Sequence, residues 1–342
     1  MAVLNRLVLV FVAVVATATV FFVPALTKDV SPTKLTFSLD FIPSGRHAPW
    51  YAALGKGYFR DEGLDVTIVP AQGSAHAMQA VDSGKAQFGF ADVAGLALAR
   101  TRGARLKLVA INYQKAPYAV FSLANGADVT RVDQLEGLVL GSGAGSFTPK
   151  VIAGIMASKG LDPGKLRIAN APPQSRADML FAGKVPAIEF FIMAQPGLEM
   201  RARKAGTQLR TLLLGNAGLE IYSNGIAVHE DYLDDHPEVV RKFVRAALKG
   251  WQFALNNPQQ AAQIQSRYVN NIDIDLAAAE IDIVRELAVT PDTQTHGLGW
   301  FSPATMKASL DFIRKYIGLP DVELSAPDLY AEKACVVLLT AL

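Results

Sequence analysis

Short β-rich segments alternate with helical patterns along most of the chain, and this alternation limits the possible folds more than any other feature. After Lys34 come the segments LTFSLDF, LDVTIVP, FGFAD and LKLVAINY, and helical patterns at 49–59, 75–83 and 94–102 lie between them. Strands that alternate with helices typically form a mainly parallel sheet with helices on both faces. We therefore expect an α/β fold with that kind of sheet.

A second α/β series follows the segment QKAPYAVFSLA, and an almost wholly helical third of the chain follows YSNGIAVHEDYL. This order predicts one lobe inserted into another. Lobe 1 is expected to comprise 34–117 and 225–330, and lobe 2 to comprise 118–224. No low-complexity linker separates them, so we expect two strand-like crossovers, and lobes joined in this way can close on a ligand by a hinge motion.

The N-terminus has the organisation of an export signal. Arg6 precedes an unbroken apolar run over 7–23, and small residues at Val23 and Ala25 predict removal of residues 1–25. An uncleaved membrane anchor is the alternative. The single cysteine, Cys335, cannot form an internal disulfide or a thiolate metal site. We therefore expect an exported protein whose fold is stabilised by its core alone.

The charge balance argues against some classes of partner. With 33 Lys and Arg against 31 Asp and Glu, the formal net charge is +2. Such a chain has no bulk attraction for nucleic acid or for an anionic membrane. A small molecule or another protein is the expected partner.

Polar and aromatic side chains crowd the turn between the first predicted strand and the first predicted helix. They are Asp40, Phe41, Ser44, His47 and Trp50. Ligands in open α/β sheets bind where strand ends meet helix N-termini, so these residues are predicted to form one wall of a binding site. In it Asp40 would accept hydrogen bonds, His47 would offer an imidazole that titrates near neutral pH, and the rings would stack on a planar ligand. The alternative is that Asp40 ties down the loop, His47 caps the helix and Trp50 is core. Arg46 could contact an anion, but it is expected to face solvent.

Other candidate ligand-binding residues lie at later strand and helix ends. They are Gly73, Ser74, Asp92, Tyr113, Ser142, Ser146, Glu189 and Tyr222. Ser74 and Asp92 are also expected as helix caps. Ser142 and Ser146 belong to GSGAGSFTPKV, in which Ser146 replaces the last glycine of a dinucleotide fingerprint, so no nucleotide is predicted. Glu189 lies in an apolar run, where a carboxylate needs a partner unless it faces solvent on an edge strand.

Signatures of catalysis are missing from the sequence. The five histidines show no metal-ligand spacing, and there is no Walker loop or nucleophile elbow. We therefore predict no enzyme activity, no cofactor and no metal.

Three segments resemble one family of transport proteins: LDFIPSGRHAPWY, GYFRDEGLDV and YSNGIAVHEDYLDDHPEVVRKFVRAALKGWQFALNNP. They are similar to the exported solute-binding proteins of ABC importers for aliphatic sulfonates, nitrate-like anions and the pyrimidine precursor of thiamine. The resemblance covers nearly all of the chain after the signal. It implies a type II periplasmic-binding-protein fold, with two α/β lobes, two crossover strands and a central ligand cleft.

Within that family the first segment looks most like the pyrimidine-binding branch. Asp40, Pro43 and His47 match its pattern, whereas Phe41 replaces a tryptophan and Ser44 an asparagine. The resemblance implies a heteroaromatic ligand such as an aminopyrimidine, and a sulfonate, a nitrate-like anion or an aromatic carboxylate is the alternative. In the closed protein, Ser142, Ser146 and Glu189 would approach the ligand from the second lobe.

The resemblance also implies where the protein works and with what. It implies a periplasmic monomer that docks on a membrane permease coupled to a cytoplasmic ATPase. A related eukaryotic branch is a pyrimidine synthase with a histidine in the same motif and a cysteine-rich iron-binding segment. This chain has His47 but no cysteine cluster, so the enzyme is the less favoured alternative.

Overall fold

Ten strands form two separate five-stranded sheets in the computed structural model, which describes residues 31–144, 146–320 and 323–331. The strands are β1 (Thr33–Ser38), β2 (Leu64–Val69), β3 (Phe88–Asp92), β4 (Leu106–Ile111), β5 (Tyr118–Leu123), β6 (Val139–Ser142), β7 (Arg167–Asn170), β8 (Ala187–Phe191), β9 (Leu209–Leu213) and β10 (Asn224–His229). The predicted signal segment 1–25 and Cys335 lie outside the described residues.

The two sheets share one strand pattern. The first has the order β2-β1-β3-β10-β4 and the second β7-β6-β8-β5-β9. In the first, β1 is parallel to β2 and β3, and β10 is antiparallel to β3 and β4. In the second, β6 is parallel to β7 and β8, and β5 is antiparallel to β8 and β9. The predicted α/β fold of two lobes is confirmed.

In each sheet four strands run in one direction, in agreement with the expectation of mainly parallel sheets, and one strand, β10 or β5, runs in the opposite direction. The chain leaves the first sheet after β4 and enters the second at β5, and it returns to the first at β10. A parallel neighbour requires a helical crossover within the same sheet. The strands β5 and β10 arrive from the other lobe, so this requirement does not apply to them.

Helices pack around both sheets. They are α1 (Ala48–Gly55), α2 (Tyr58–Asp61), α3 (Ser74–Asp82), α4 (Val93–Arg100), α5 (Thr148–Ser158), α6 (Arg176–Phe181), α7 (Gln195–Lys204), α8 (Glu230–Asp235), α9 (Pro237–Asn256), α10 (Pro258–Gln265), α11 (Ile274–Ala288), α12 (Pro291–His296) and α13 (Pro303–Phe312). A 3-10 helix, Gly45–His47, precedes α1, and a π-helix, Ile313–Gly318, follows α13. In the described parts of the chain, no helix is both long enough and apolar enough to span a bilayer.

The helix ends test two predicted caps and one predicted helix. Asp92 caps α4 as predicted, since its Oδ1 accepts the Gly95 N–H at 2.6 Å. Ser74 is instead the first residue of α3, and Gly73 takes the cap position with φ +143°. The predicted helix over 49–59 is two helices, because Gly57 adopts a left-handed conformation at φ +79° that ends the first of them.

Aromatic rings fill the core of the first lobe. The ring of Phe88 stacks on Phe243 at 3.9 Å with an interplanar angle of 4°. Trp50 is fully buried, and its centroid lies 4.6 Å from Phe37 and 5.3 Å from Trp251. Because α9 supplies Phe243 and Trp251 while β1 and α1 supply Phe37 and Trp50, these contacts fix the helical third of the chain to the first sheet.

Helices α1 and α9 approach each other closely at Gly250. A Cβ at this position would lie 2.5 Å from both the Ala53 Cβ and the Pro49 carbonyl oxygen. These neighbours are backbone atoms and a short side chain, which cannot rotate away. The site therefore requires glycine for packing reasons.

We predict that Gly250→Ala destabilises the protein by about 1–3 kcal/mol, because overpacking outweighs the better helix propensity of alanine. Gly197→Ala in α7 is the matched control, since a Cβ there meets only the Leu276 side chain, at ordinary distances of 3.4 and 3.7 Å. It should be neutral or up to about 1 kcal/mol more stable. Urea unfolding of both variants measures the difference, and equal stability of the two would contradict the packing argument.

Candidate functional site

A cavity of about 220 Å³ lies between the two lobes, since residues from both sheets line it. It is slightly smaller than the about 300–1,000 Å³ typical of small-molecule sites. Its first-lobe wall comes from the segment after β1, the start of α3, the end of β3 and helix α11. Its second-lobe wall comes from β8, the start of α5 and the start of α6. The cavity therefore occupies the place where strand ends and helix N-termini meet.

The structure brings eight of the predicted ligand-binding residues to this cavity. They are Asp40, Phe41, Ser44, Gly73, Ser74, Asp92, Ser146 and Glu189. These residues come from both lobes, although up to 149 positions separate them in the sequence. That they bind a ligand stays a prediction.

Trp50 and Tyr113 do not line the cavity. Both side chains are fully buried in the core, where the Tyr113 ring lies 5.3 Å from Phe90 and 5.8 Å from Trp251. The core alternative considered for Trp50 is therefore the one that the structure supports. Neither ring offers a face to a ligand.

Ser142 and Tyr222 also lie behind the cavity wall. Ser142 Oγ donates to Glu189 Oε1 at 2.7 Å, so it supports a residue of the wall. The Tyr222 hydroxyl accepts the Ser302 N–H at 2.9 Å, within a separate hydrophobic cluster. Both residues thus have structural contacts in place of the predicted ligand contact.

Asp40 is a buried carboxylate that is surrounded by donors. Arg46 pairs with both of its oxygens, Nη1 at 3.1 Å from Oδ2 and Nη2 at 3.0 Å from Oδ1. His47 Nε2 lies 2.9 Å from Oδ1, and the Asn224 amide donates to Oδ2 at 2.9 Å. A carboxylate has about four acceptor positions. These contacts fill them, which leaves Asp40 no free position for the ligand donor that the sequence prediction assigned to it.

The prediction that Arg46 faces solvent is wrong. The side chain is buried because Asp40, itself 2% exposed, needs a cationic partner to offset the loss of hydration. Burial raises the pKa of the Asp40 carboxyl, but Arg46 and His47 outweigh burial and hold it below its usual range. Asp40 is therefore ionised at neutral pH.

His47 is neutral, and its tautomer follows from its two contacts. The Ser44 N–H donates to Nδ1 at 3.1 Å, so Nδ1 carries no proton. Nε2 then carries the proton and donates to Asp40. Burial, followed by the charge of Arg46, lowers the pKa of His47 to about 4. The expectation of an imidazole that titrates near neutral pH is therefore wrong.

The second lobe holds a matching buried ion pair. Arg176 Nη1 donates to Glu189 Oε1 at 2.7 Å and to the Glu189 carbonyl at 2.9 Å, and its Nε donates to the Ala171 carbonyl at 3.0 Å. Both side chains are at most 2% exposed. Burial raises the pKa of Glu189, although Arg176 and Ser142 oppose this rise. Glu189 thus has the partner that its apolar sequence context requires.

Two carboxylates of the wall, Asp92 and Glu280, have no cationic side chain within 4 Å among the described residues. Asp92 accepts the Gly95 N–H at 2.6 Å and interacts with the Ser74 hydroxyl, and burial raises its pKa. Glu280 Oε2 accepts the Arg46 N–H at 3.1 Å, and burial raises its pKa to about 7. These two groups are therefore electrostatically different from Asp40 and Glu189.

Aromatic rings from the two lobes face each other across the cleft. The Phe41 ring lies 6.2 Å from Phe190 in an edge-to-face arrangement. The Arg46 guanidinium lies 5.0 Å from the Phe191 ring, and the Arg176 guanidinium lies 4.8 Å from the Phe190 ring. Flat cations and rings can therefore sandwich a planar ligand.

A chain of polar contacts connects the Asp40 cluster with both crossovers. Asn224, which binds Asp40, opens β10, and its Oδ1 lies 2.9 Å from Ser223 Oγ. Ser223 Oγ lies 3.3 Å from the hydroxyl of Tyr118, the first residue of β5 and a residue of the cavity wall. The cleft and the segments that join the lobes therefore share one buried network.

Several wall residues were missed by sequence reasoning. They are Arg46, Tyr118, Thr148, Arg176, Phe190, Phe191 and Glu280. Phe190 and Phe191 follow Glu189 directly in the sequence, so the prediction for Glu189 could have been extended to them. A buried Glu189 needs a cationic partner, which could have pointed to an arginine. Glu280 lies in the helical third of the chain, and no local pattern distinguishes it from the other acids there. Among the described residues, no cluster of histidine, cysteine and acidic side chains has the arrangement of a metal site.

The low pKa of His47 makes stability depend on pH. Because an unfolded histidine binds a proton below about pH 6.5, the unfolded state gains stability as pH falls from there to about 4. We predict that the unfolding free energy of the parent, relative to His47→Gln, falls by about 1.4 kcal/mol per pH unit in this window. Urea unfolding at several pH values measures this difference. Glu280, whose pKa is raised, makes the protein more stable as pH falls, but it does so in both proteins and cancels in the comparison. A difference that does not vary with pH would show that His47 is not held neutral.

Curated relatives of known name cover most of the chain. The riboflavin-binding protein RibY of Chloroflexus aurantiacus is 27% identical over 300 residues, which are 85% of this chain and 83% of RibY. The 4-amino-5-hydroxymethyl-2-methylpyrimidine phosphate synthase THI13 of Saccharomyces cerevisiae is 27% identical over 68% of this chain and 70% of its own. The formylaminopyrimidine-binding protein of Halalkalibacterium halodurans is 24% identical over 66% of this chain and 68% of its own length.

Solved structures share the fold at low identity. A protein from Bordetella bronchiseptica RB50 has a TM-score of 0.70 at 18% identity, over 89% of this chain and 96% of that one. The alkanesulfonate-binding protein SsuA of Xanthomonas axonopodis pv. citri, bound to MOPS, has a TM-score of 0.67 at 14% identity, over 88% and 99%. These likenesses establish the periplasmic-binding-protein fold. The family model described as NMT1/THI5 like matches residues 44–261, more than half of the chain, and the chain therefore belongs to the NMT1/THI5-like family.

Proposed function

We propose that the chain is the exported substrate-binding subunit of an ABC importer and that it captures a small heteroaromatic molecule by closure of its two lobes. One observation carries this proposal: a cavity between the lobes combines aromatic rings with buried polar groups from both sides. Ring faces can stack on a planar ligand, while carboxylates and hydroxyls accept its N–H donors. The pyrimidine and flavin ring systems in the names of two relatives have this chemistry.

An anionic ligand, such as a sulfonate or nitrate, is the second candidate, because structural neighbours include an alkanesulfonate-binding protein. The charges of the cleft disfavour it. Arg46 pairs with Asp40 and Arg176 with Glu189, so the charge of each guanidinium is already balanced, although Arg176 Nη2 has no hydrogen-bond partner among the described residues. Two further carboxylates, Asp92 and Glu280, would repel it.

We also propose that the protein binds its ligand without converting it. Yeast relatives are named as synthases, so the enzyme is a real alternative. In this chain His47 is fully buried behind Asp40 and does not line the cavity. The sequence holds one cysteine, which excludes a cysteine-rich iron segment. Both observations favour binding over turnover.

The proposal includes a place of action and a partner. The apolar run at 7–23 fits an export signal, which supports a periplasmic location. The ligand-closed protein would dock on a membrane permease that works with a cytoplasmic ATPase. Tyr118 lines the cavity and belongs to the buried network of Ser223, Asn224 and Asp40, so a ligand in contact with Tyr118 could change the segments between the lobes.

The nature of the ligand can be tested directly. We expect native mass spectrometry of the freshly purified mature protein to detect a bound heteroaromatic molecule. Calorimetry should detect binding of 4-amino-5-hydroxymethyl-2-methylpyrimidine or riboflavin, and the recovered molecule should be unchanged. Binding of ethanesulfonate or nitrate, with no binding of either ring compound, would replace the proposal with the anion alternative.

The stacking role of the cleft predicts the effect of one substitution. Phe190→Ala should weaken binding of the ring compound by about 2- to 13-fold, because an aromatic pair contributes about 0.5–1.5 kcal/mol beyond its buried area. Phe181→Ala is the matched control, since Phe181 packs under Arg201, outside the cavity. It should leave the dissociation constant unchanged. Equal dissociation constants for the two folded variants would remove Phe190 from the site.

A further inference from the structure

The charges that line the cavity do not balance. Four carboxylates line it, those of Asp40, Asp92, Glu189 and Glu280, together with the two guanidiniums of Arg46 and Arg176. Arg46 forms its ion pair with Asp40, and Arg176 forms its pair with Glu189. Two carboxylates therefore have no cation in the cleft.

Both of these carboxylates are removed from water. Asp92 is 2% exposed and Glu280 is 8% exposed. A buried charge is costly unless a partner offsets the loss of hydration. Backbone donors meet part of this need, from Gly95 to Asp92 and from Arg46 to Glu280. Hydrogen bonds from neutral amides leave the charge itself uncompensated.

Glu280 is held in place at the cavity wall by its surroundings. Helix α11 packs against the 3-10 helix 45–47, and Gly45 is so close to it that a Cβ there would collide with the Ala277 backbone. The groups that act on the Glu280 carboxyl are the Arg46 and Gly45 N–H groups, the Ser44 hydroxyl and the more distant Arg46 charge. The Tyr113 phenol also interacts with it, and α10 contributes the neutral amide of Gln265, which donates to the Ser44 carbonyl.

We propose that Glu280, together with Asp92, selects a ligand that brings a positive charge, so that the substrate class is a protonated heteroaromatic amine. This inference rests on the proposed function and narrows it. Glu280 acts as a specificity-determining residue: it accepts a hydrogen bond from the cationic group, which completes the charge balance of the closed cleft. A neutral ring compound binds more weakly, and an anionic one is repelled.

Three probes with the same ring test this proposal. They are 4-amino-2-methylpyrimidines that carry at ring position 5 an aminomethyl group, a hydroxymethyl group or a carboxylate, and at neutral pH these groups are cationic, neutral and anionic. Calorimetry with the parent should give the tightest binding for the cation and the weakest for the anion. Glu280→Gln keeps the shape of the side chain and removes its charge. It should reduce the preference for the cation over the neutral probe by about tenfold.

Glu286→Gln is the matched control, since Glu286 lies on the same helix and is exposed. It should leave all three dissociation constants unchanged. Thermal melting establishes that each variant is folded. If Glu280 only braces the 3-10 helix, Glu280→Gln will change all three dissociation constants by the same factor, and this outcome overturns the proposal.

A pH series gives a readout that a bracing role would not change. Because the pKa of Glu280 is raised to about 7, the group loses its charge as pH falls from 8 to 6. The dissociation constant of the parent for the aminomethyl probe, divided by that of Glu280→Gln, should rise about fivefold over this range. Titration of the probe and of Asp92 affects both proteins equally, so its effect on the two dissociation constants cancels in the ratio. A constant ratio overturns the proposal.

The outcomes also separate this inference from the function on which it rests. A parent that binds all three probes equally overturns the charge preference and leaves a heteroaromatic-binding protein. A parent that binds the carboxylate probe most tightly likewise overturns it. A parent that binds none of the probes and no riboflavin overturns both proposals.

Discussion

The burial of the Asp40 carboxylate at the end of the first strand is the constraint on which the cleft depends. An ionised group in this position is tolerated only if donors occupy its acceptor positions. Arg46, His47 and Asn224 fill that role. The first two belong to the 3-10 helix before α1, and Asn224 opens the strand that returns from the second lobe. One charge thereby fixes the loop after β1 to the start of β10.

This arrangement separates the groups that build the cleft from the groups that are free to bind. Asp40 and Glu189 each hold an arginine, and those arginines are placed against the rings of Phe191 and Phe190. The ion pairs thus position a set of flat surfaces. Ring faces, hydroxyls and the two carboxylates without a cationic partner are left for a ligand, and this combination suits a planar molecule with N–H donors.

The sequence predicted the parts of the structure that local patterns determine. The alternation of strands and helices gave two α/β lobes, and Asp92 was found as a cap because capping depends on neighbours three residues away. The direction of β5 and β10 was missed, since it depends on a chain that arrives from the other lobe. Trp50 was assigned to the ligand wall because its position after β1 is known from sequence, whereas the direction of its side chain is set by Trp251, 201 residues later.

The site shows the same division between local and distant information. Asp40, Phe41 and Ser44 were found because they follow a strand directly. Arg46 was misjudged because exposure of an arginine depends on whether a buried carboxylate lies within reach. Glu280 was not found, since only the packing of α11 on the 3-10 helix brings it to the cavity.

A crystal structure of the protein with a bound 4-amino-2-methylpyrimidine tests the central claim most directly. The claim is that Asp40 positions the cleft and does not itself bind the ligand. We predict that the ring lies between the two lobes in contact with Phe41 and Phe190, while Asp40 keeps its contacts with Arg46, His47 and Asn224. A ligand donor bound to Asp40 in place of Arg46 or Asn224, or a ligand bound outside this cavity, would contradict the claim.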